Sequence, residues 1–519
     1  MARSSQEPES EISEVQPTYA PAESKFLPLK LKHLLLGSPM PTYRIRHERL
    51  SKVLGLAVFS SDNLSSVAYA TEEILLVLIV AGTVALSVSW PIGLAIVALL
   101  AIVASSYYQT IHAYPSGGGA YIVAKDNLGT SAGLIAGAAL LIDYVLTVAV
   151  SIAAGVAAIT SAVPALFTHR VALGLLCVLV VTLVNLRGVR ESGKIFAIPT
   201  YCFIASFVVL IATGLITYIR SGAAAPGGEM PVPALEPLTA FLVLRAFASG
   251  CAALTGVEAI SNGVQAFKPP EARNASLTLV WMAVILGSFF IGITFLANHF
   301  GVTPKEAETV VSQLARRVFG EGVFYYLVQA ATAAILILAA NTSYADFPRL
   351  ASLLARDGFL PRQMANLGDR LVFSNGILLL GVLAGVLIML FGGETHALIP
   401  LYAVGVFLSF TLSQAGMVKR WASQRHRGWR RGIAINSVGA CATAAVLGVI
   451  TMTKFTHGAW IVVMLLPTLV LVFHKIQQHY RLVAAQITLQ EGWSSHERSS
   501  HTVIVPISGL YRQVIAAFH

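Results

Sequence analysis

The stretch that decides the fold is Ser60-Ser61-Asp62-Asn63-Leu64-Ser65-Ser66, a polar run inside the apolar segment 53–81. A segment of that length can cross a bilayer, which takes about 20 residues in a helix. A carboxylate and several serines at membrane depth are costly. They persist where the helix is unwound and its freed backbone groups line a polar cavity. The run therefore predicts a broken first transmembrane helix whose break is an ion or substrate site.

The composition supports this interpretation. The chain has 519 residues, of which 56% are hydrophobic and only 12% are charged, whereas a soluble protein carries roughly 25% charged residues. We therefore expect an all-α membrane protein. The net charge of +10 does not indicate a nucleic-acid partner, because the basic residues cluster in loops on one membrane side. No nucleophile–base pair, histidine cluster or paired cysteine motif is evident, so neither an enzyme nor a cofactor is expected.

Apolar segments divide the chain into about twelve spans, numbered here in chain order. Their approximate bounds are 53–81, 90–111, 132–163, 171–186, 196–219, 240–266, 276–300, 323–344, 374–391, 397–418, 433–453 and 459–474. The expected organisation is a cytoplasmic, partly disordered segment 1–52, a transporter domain 53–474 and a cytoplasmic tail 475–519. Within the tail, residues 501–510 are typical of a strand entering a glycine turn, with a helix from about Arg512, as at the start of an α/β domain.

Loop charges predict the orientation. Lysine and arginine concentrate in 187–194, 349–370 and 419–431, after spans four, eight and ten, whereas 82–89 has no charge. Even-numbered spans thus lead to the basic side, and both termini are expected in the cytoplasm. The exception is the stretch between spans seven and eight, where basic and acidic residues balance. We interpret it as a short external helix.

The second half contains a counterpart to the opening run. Span six is interrupted by Thr255-Gly256-Val257-Glu258-Ala259-Ile260-Ser261-Asn262-Gly263. Spans one and six enter the membrane from opposite sides. Two interrupted helices of opposite direction, five spans apart, indicate a 5+5 inverted repeat with a site near the midplane.

Span three adds oxygen atoms to this candidate site. Asp143, Thr147 and Ser151 are spaced i, i+4, i+8 and so share one helix face. With Asp62 and Glu258 they form a set of intramembrane oxygens, to which Tyr69 and Tyr402 can add phenolic oxygens. Carboxylates, hydroxyls and freed carbonyls replace the hydration shell of a hard monovalent cation.

The same residues also suggest proton coupling. Several neighbouring carboxylates cannot all stay ionised without cation charge between them, and Asp143 and Glu258 are the candidates to carry a proton. Other interpretations remain open. The carboxyls can be tied to the backbone for structural reasons, the hydroxyls of Thr147, Ser151 and Thr255 can bond back to the preceding helical turn, and the tyrosines can serve packing alone.

Two motifs carry a resemblance to a known family. Ser60–Glu73 resembles the first-helix signature of KimA-type potassium importers, and Ala113–Tyr121 with Ala124–Gly129 resembles the next stretch of the same family. That family belongs to the amino acid–polyamine–organocation (APC) superfamily and is related to the KUP transporters. The resemblance implies a LeuT-like fold and proton-coupled potassium uptake in a bacterial cell membrane. The positions it implies for the potassium site are Asp62, Tyr69, Asp143, Thr147, Ser151, Thr255, Glu258 and Tyr402.

The resemblance also implies regulation through the tail. Members of the family carry a cytosolic domain similar to universal stress proteins, which mediates homodimer formation and in some members binds cyclic di-AMP. Only an apparent first strand and helix start of such a domain are present within 475–519.

Three functions compete. The first is a secondary transporter that moves K⁺ with H⁺ by alternating access. The second is an amino-acid permease of the same fold. Such permeases meet a substrate carboxylate with backbone N–H groups, which the acidic residues at both breaks would oppose. A cation channel is disfavoured, because two broken helices in an inverted repeat lack a repeated filter loop.

Overall fold

The computed structural model describes residues 49–117, 119–188, 193–221, 232–426 and 428–487. Within these ranges every regular element is helical. The α-helices are α1 (Lys52–Phe59), α2 (Ser61–Ser65), α3 (Val67–Leu78), α4 (Ser89–Ala113), α5 (Ala120–Leu128), α6 (Thr130–Ala162), α7 (Arg170–Leu186), α8 (Gly193–Ser221), α9 (Ala240–Gly250), α10 (Ala259–Asn262), α11 (Glu271–His299), α12 (Val310–Phe319), α13 (Val323–Arg356), α14 (Ser374–Leu390), α15 (Thr395–Gln424), α16 (Trp429–Lys454) and α17 (Ala459–Ile487). Residues 1–48 of the expected partly disordered N-terminal segment 1–52, and the expected strand and helix beyond residue 500, lie outside the described residues.

The number of crossings agrees with the sequence. Of the described helical segments, 11 are long and apolar enough to cross a membrane, and the 17-residue α14 corresponds to span nine. The all-α multi-pass architecture is therefore confirmed. Several helices exceed their predicted spans. The largest extensions are in α13, which runs on to Arg356, and in α17, which runs on to Ile487. Hydropathy detects only the apolar part of a helix, whereas a helix can continue through polar residues.

Both predicted breaks are present. Span one is divided at Ser60 and Ser66 into α1, α2 and α3. Span six ends its first helix at Gly250, passes through a 3₁₀ turn and reaches an extended Thr255, then resumes at Ala259. Because an extended residue cannot continue the helical hydrogen bonds, backbone groups are freed at the centre of span six. In span one, Ser60 and Ser66 keep helical dihedrals, so the interruption there is milder.

Spans one and six run in opposite directions, side by side. At one end, Leu50 N donates to Ala266 O at 2.7 Å, and Lys268 N donates to Leu50 O at 2.9 Å. At the other end, Leu235 N donates to Val80 O at 2.9 Å. The start of each span thus meets the end of the other, which places their central breaks at the same depth. This antiparallel pair is the arrangement expected of the LeuT-like fold.

Span three forms the centre of the bundle. Helix α6 packs against α13 on one side and α15 on another, and most of its side chains are buried. Close approach is possible because the facing positions are small. A Cβ on Gly155 would lie 3.4 Å from Ala333 O of α13, and one on Gly405 of α15 would lie 3.0 Å from Ala139 O.

The predicted helix between spans seven and eight is also present. It is α12, whose N-cap residue Thr309 accepts a hydrogen bond from Ser312 N at 3.3 Å. Arg316 near its end pairs with Glu308 at 3.3 Å, in line with the balanced charge of this stretch.

Candidate cation site

The two helix breaks are joined directly to each other. Asn63 Nδ2 in span one donates to Thr255 O in span six at 2.6 Å. Three residues further on, the single hydroxyl proton of Ser66 is shared between two acceptors, Asn63 O at 2.6 Å and Ala253 O at 3.2 Å. Side chains of the first break thus satisfy backbone carbonyls that the second break leaves free, so the breaks form one polar unit.

The Asp62 carboxylate lies against the backbone of span six. Gly256 has φ +82°, and a Cβ built on it would lie 2.7 Å from Asp62 Oδ2 and 3.1 Å from Asn63 N. Glycine is required at position 256 for two reasons. Other residues disfavour this φ, and any side chain would collide with the Asp62 carboxylate. Asp62 therefore faces the unwound part of span six.

Spans three and ten bring the remaining predicted residues to the same place. Asp143 and Thr147 lie on the buried face of α6. Tyr402 of α15 places its hydroxyl beside the Thr147 side chain, and Tyr69 of α3 places its hydroxyl beside Thr255. Each of these side chains is less than a tenth exposed. Four separate spans thus contribute oxygens to one buried cluster.

The acidic residues lie close enough to interact electrostatically. Asp143 interacts with both Glu258 and Asp62. Among the described residues, neither Asp143 Oδ1 nor Glu258 Oε2 has a hydrogen-bond partner, although both atoms are buried. An unsatisfied buried carboxylate oxygen is expensive, so these atoms have the capacity to bind a cation or to carry a proton.

The structure adds one acidic residue that the sequence analysis missed. Asp346 of α13 is buried, and it interacts with Asp62, with Glu258 and with the side chain of Asn262. Its signal was the polar run Asn341-Thr342-Ser343-Tyr344-Ala345-Asp346. The predicted span eight ends at Tyr344, which assigns Asp346 to the basic loop near Arg349.

The hydroxyl groups of Thr255, Thr147 and Ser151 can either bond back to the preceding helical turn or face the candidate site. Thr255 Oγ1 donates to Ala252 O at 2.9 Å, so the bond to the preceding turn is realised there, and the Thr255 carbonyl is the atom bound by the first break. Thr147 instead faces Tyr402. Ser151 is buried one turn further along α6, and no hydrogen bond within the described ranges connects it to the cluster.

The ligand set is mixed in character. In the part of the chain that the structure describes, no three His, Cys, Asp or Glu side chains converge at metal-binding distance. A site here would combine a small number of carboxylate oxygens with hydroxyl and carbonyl oxygens. Such a set suits a monovalent cation that has to be released again, because fewer full charges bind it.

One side of the cluster is closed by a second acidic group. Glu72 and Glu73, one helical turn beyond Tyr69, both contact His396 at the start of α15. His396 Nδ1 lies 2.5 Å from Glu73 Oε1, and Nε2 lies 3.5 Å from Glu72 Oε1. Glu72 Oε2 also accepts from Val310 N at 3.2 Å. A cavity of about 20 Å³ lies between Tyr69 and this group, large enough for about one water.

Paired broken helices around a buried cation-type site define a multi-pass membrane transporter of the secondary type. Residues 53–478 match the amino acid permease family, and the chain belongs to that family. The predicted APC-type transporter with a LeuT-like fold, and not an enzyme, is thereby confirmed.

Two relatives are informative. The chain is 48% identical over 490 residues to the potassium transporter KimA of Bacillus subtilis (strain 168), a match that covers 94% of this chain and 80% of KimA. The resemblance to KimA-type proteins is therefore confirmed. The chain is also 24% identical over 273 residues to the low-affinity putrescine importer PlaP of Escherichia coli (strain K12), covering 51% of this chain and 59% of PlaP.

Proposed function

We propose that this chain imports K⁺ together with H⁺ by alternating access, and that the cation binds between the two helix breaks. The observation that carries the proposal is the contact of Asp62 with the Thr255–Gly256 backbone, which Asn63 holds in place. The potassium transporter KimA, 48% identical, supports K⁺ as the substrate.

The proposed K⁺ ligands are drawn from the buried cluster. Asp62 provides the charge that attracts the cation, and its neighbours provide uncharged oxygens. The complete proposed set is Asp62, Tyr69, Asp143, Thr147, Ser151, Thr255, Glu258 and Tyr402. Ser151 has the weakest support, because no described hydrogen bond connects it to the others.

The proposed proton carriers are Asp143 and Glu258. Each keeps an oxygen without a described partner, and each lies near other acids whose charges disfavour a second ionised group. Protonation of one of them removes one of the mutually repelling charges, so that K⁺ and H⁺ occupy the loaded site together and are released together on the cytoplasmic side. This coupling requires no resident metal or cofactor, and we propose that none is needed.

The wider setting is proposed on the same grounds. We place the protein in the bacterial cell membrane with both termini in the cytoplasm, because the basic loops share one side. A homodimer, and regulation by cyclic di-AMP through a complete tail domain, remain proposals that rest on the resemblance alone.

The direct test is growth rescue of a potassium-uptake-deficient bacterium at limiting K⁺. The chain should restore growth, and Asp62→Asn or Asp143→Asn should abolish rescue at equal membrane expression. Glu321→Gln is the matched control. It removes one negative charge, as the site variants do, but from a side chain that is 70% exposed beside α12. Normal uptake in either site variant would refute the site assignment.

Two further measurements separate the alternatives. Collapse of the pH gradient should suppress K⁺ accumulation in proteoliposomes, and indifference to it would favour a uniporter or a channel. Saturable uptake of a radiolabelled amino acid would favour the permease, whose substrate carboxylate we expect the acidic cluster to repel.

A further inference from the structure

A groove of about 1340 Å³ lies on the outside of the bundle, and none of the candidate cation-site residues lines it. Its walls come from α4 and α11, and its mouth is formed by the connection between α15 and α16. This volume exceeds the roughly 300–1,000 Å³ typical of small-molecule pockets. Helix α11 lines the groove from Val280 to Ile291, a length of about 16 Å at a rise of about 1.5 Å per residue. That length is comparable to one leaflet of a bilayer whose hydrocarbon core is about 30 Å thick.

The walls of the groove are apolar. Val97 and Leu100 of α4 face Val280 and Val284 of α11 across it. The hydroxyl groups in these walls are turned to their own helices: Ser105 Oγ donates to Ala101 O at 2.7 Å, and Ser288 Oγ donates to Val284 O at 2.7 Å. The groove therefore matches hydrocarbon chains and lacks partners for a polar ligand along its length.

The mouth of the groove is basic. Arg420, Arg431, His112 and His426 line it, and no acidic residue is among the described residues around it. Arg431 is exposed and has no ion pair or hydrogen bond within the described ranges. This end belongs to the loop with the highest density of arginine in the chain, residues 419–431.

Some of these basic groups are also held in position. The Arg420 guanidinium lies 4.4 Å from the centre of the Tyr114 ring and donates to Ala113 O at 3.2 Å. His112 Nδ1 forms a hydrogen bond of 2.8 Å with Tyr108 O, which directs the other ring nitrogen away from α4. Positioned donors and one free arginine suit a phosphate group.

We propose that this groove binds a membrane phospholipid with an anionic headgroup, its acyl chains between α4 and α11 and its phosphate at Arg431 and Arg420. Charge complementarity selects this occupant, since a zwitterionic headgroup places a cation among the arginines. Basic pockets between helices at the cytoplasmic surface are suited to anionic lipids, and each arginine near the surface adds to that attraction.

The test uses the full chain purified in detergent, with bound lipid counted by native mass spectrometry. Dioleoyl-phosphatidylglycerol should bind more tightly than dioleoyl-phosphatidylcholine. Arg431→Gln should weaken phosphatidylglycerol binding about fivefold, the equivalent of about 1 kcal/mol. Arg430→Gln is the control of identical net charge, because Arg430 lies against the Trp429 ring at 5.5 Å and does not line the groove.

A second pair of variants tests the walls. Ser288→Trp, which fills the space between α4 and α11, should reduce binding of phosphatidylglycerol, whereas Leu277→Trp on the same helix should not, because Leu277 is exposed outside the groove. Equal binding of both lipids, equal effects of the two arginine variants, or a groove occupied by a second copy of the chain in the spectra would overturn the proposal.

Discussion

Replacing Gly256 with alanine perturbs the contact on which the site depends. The added Cβ would lie 2.7 Å from Asp62 Oδ2 and 3.1 Å from Asn63 N, both inside ordinary van der Waals contact. Gly256 also has φ +82°, which costs an alanine roughly 1–2 kcal/mol. The steric conflict of the new Cβ with Asp62 and Asn63 costs about 1–3 kcal/mol more. The total cost is about 2–5 kcal/mol. The protein can lower its steric part most easily by moving Asp62 away from Gly256.

Gly358→Ala is the matched control for this prediction. Gly358 has φ +80°, and a Cβ built on it meets nothing within 4 Å. The control therefore carries the same backbone cost without the contact to Asp62. The difference between the two variants measures the steric part alone.

The assay is K⁺ or Rb⁺ uptake into proteoliposomes, with thermal unfolding in detergent as the stability readout. If about 1.4 kcal/mol of the cost falls on the ion-bound state, uptake at limiting ion falls about tenfold. Gly358→Ala should keep uptake near that of the unmodified chain. Equal uptake in the two variants would show that Asp62 does not act from its position against Gly256.

Three other predictions concern the surroundings of the site. Asn63→Ala removes the bond to Thr255 O, which should lower stability by about 1–3 kcal/mol. It should reduce uptake more than Ser87→Ala, which removes an exposed hydroxyl in the 3₁₀ helix before α4. Uptake that tracks stability alone would argue against a positioning role for Asn63. Asp346→Asn should alter the pH dependence of uptake while insertion stays normal, and an unchanged pH profile would remove Asp346 from the acidic cluster. His396→Gln should loosen the closure over Glu72 and Glu73 and make a cysteine introduced at Tyr69 reactive to an impermeant thiol reagent; continued protection would mean that another element closes this side.

The predicted architecture followed from local patterns. Span lengths depend on hydropathy, and the two breaks are visible as polar runs around Asp62 and Glu258, because a polar residue at membrane depth is costly wherever the neighbouring helices lie. The shared face of Asp143 and Thr147 is also local, since 3.6 residues per turn determine it. These features needed no knowledge of packing.

The details of the site depend on contacts between distant residues. Asp346 was missed because its position in the cluster depends on how far α13 continues and on how it packs against α2 and α6. The contact of His396 with Glu72 and Glu73 joins residues more than 300 positions apart, and no periodicity relates them.

Sequence alone thus predicted about twelve membrane crossings, interruptions in spans one and six, and the location of Asp62, Asp143 and Glu258 within the spans. Only the tertiary structure decided that Asn63 binds Thr255 O, that Asp62 lies against Gly256, and that Asp346 belongs to the same cluster. The physical reason is that burial and helix periodicity act along the chain, whereas hydrogen-bond partners and steric contacts are chosen by the packing of helices across it.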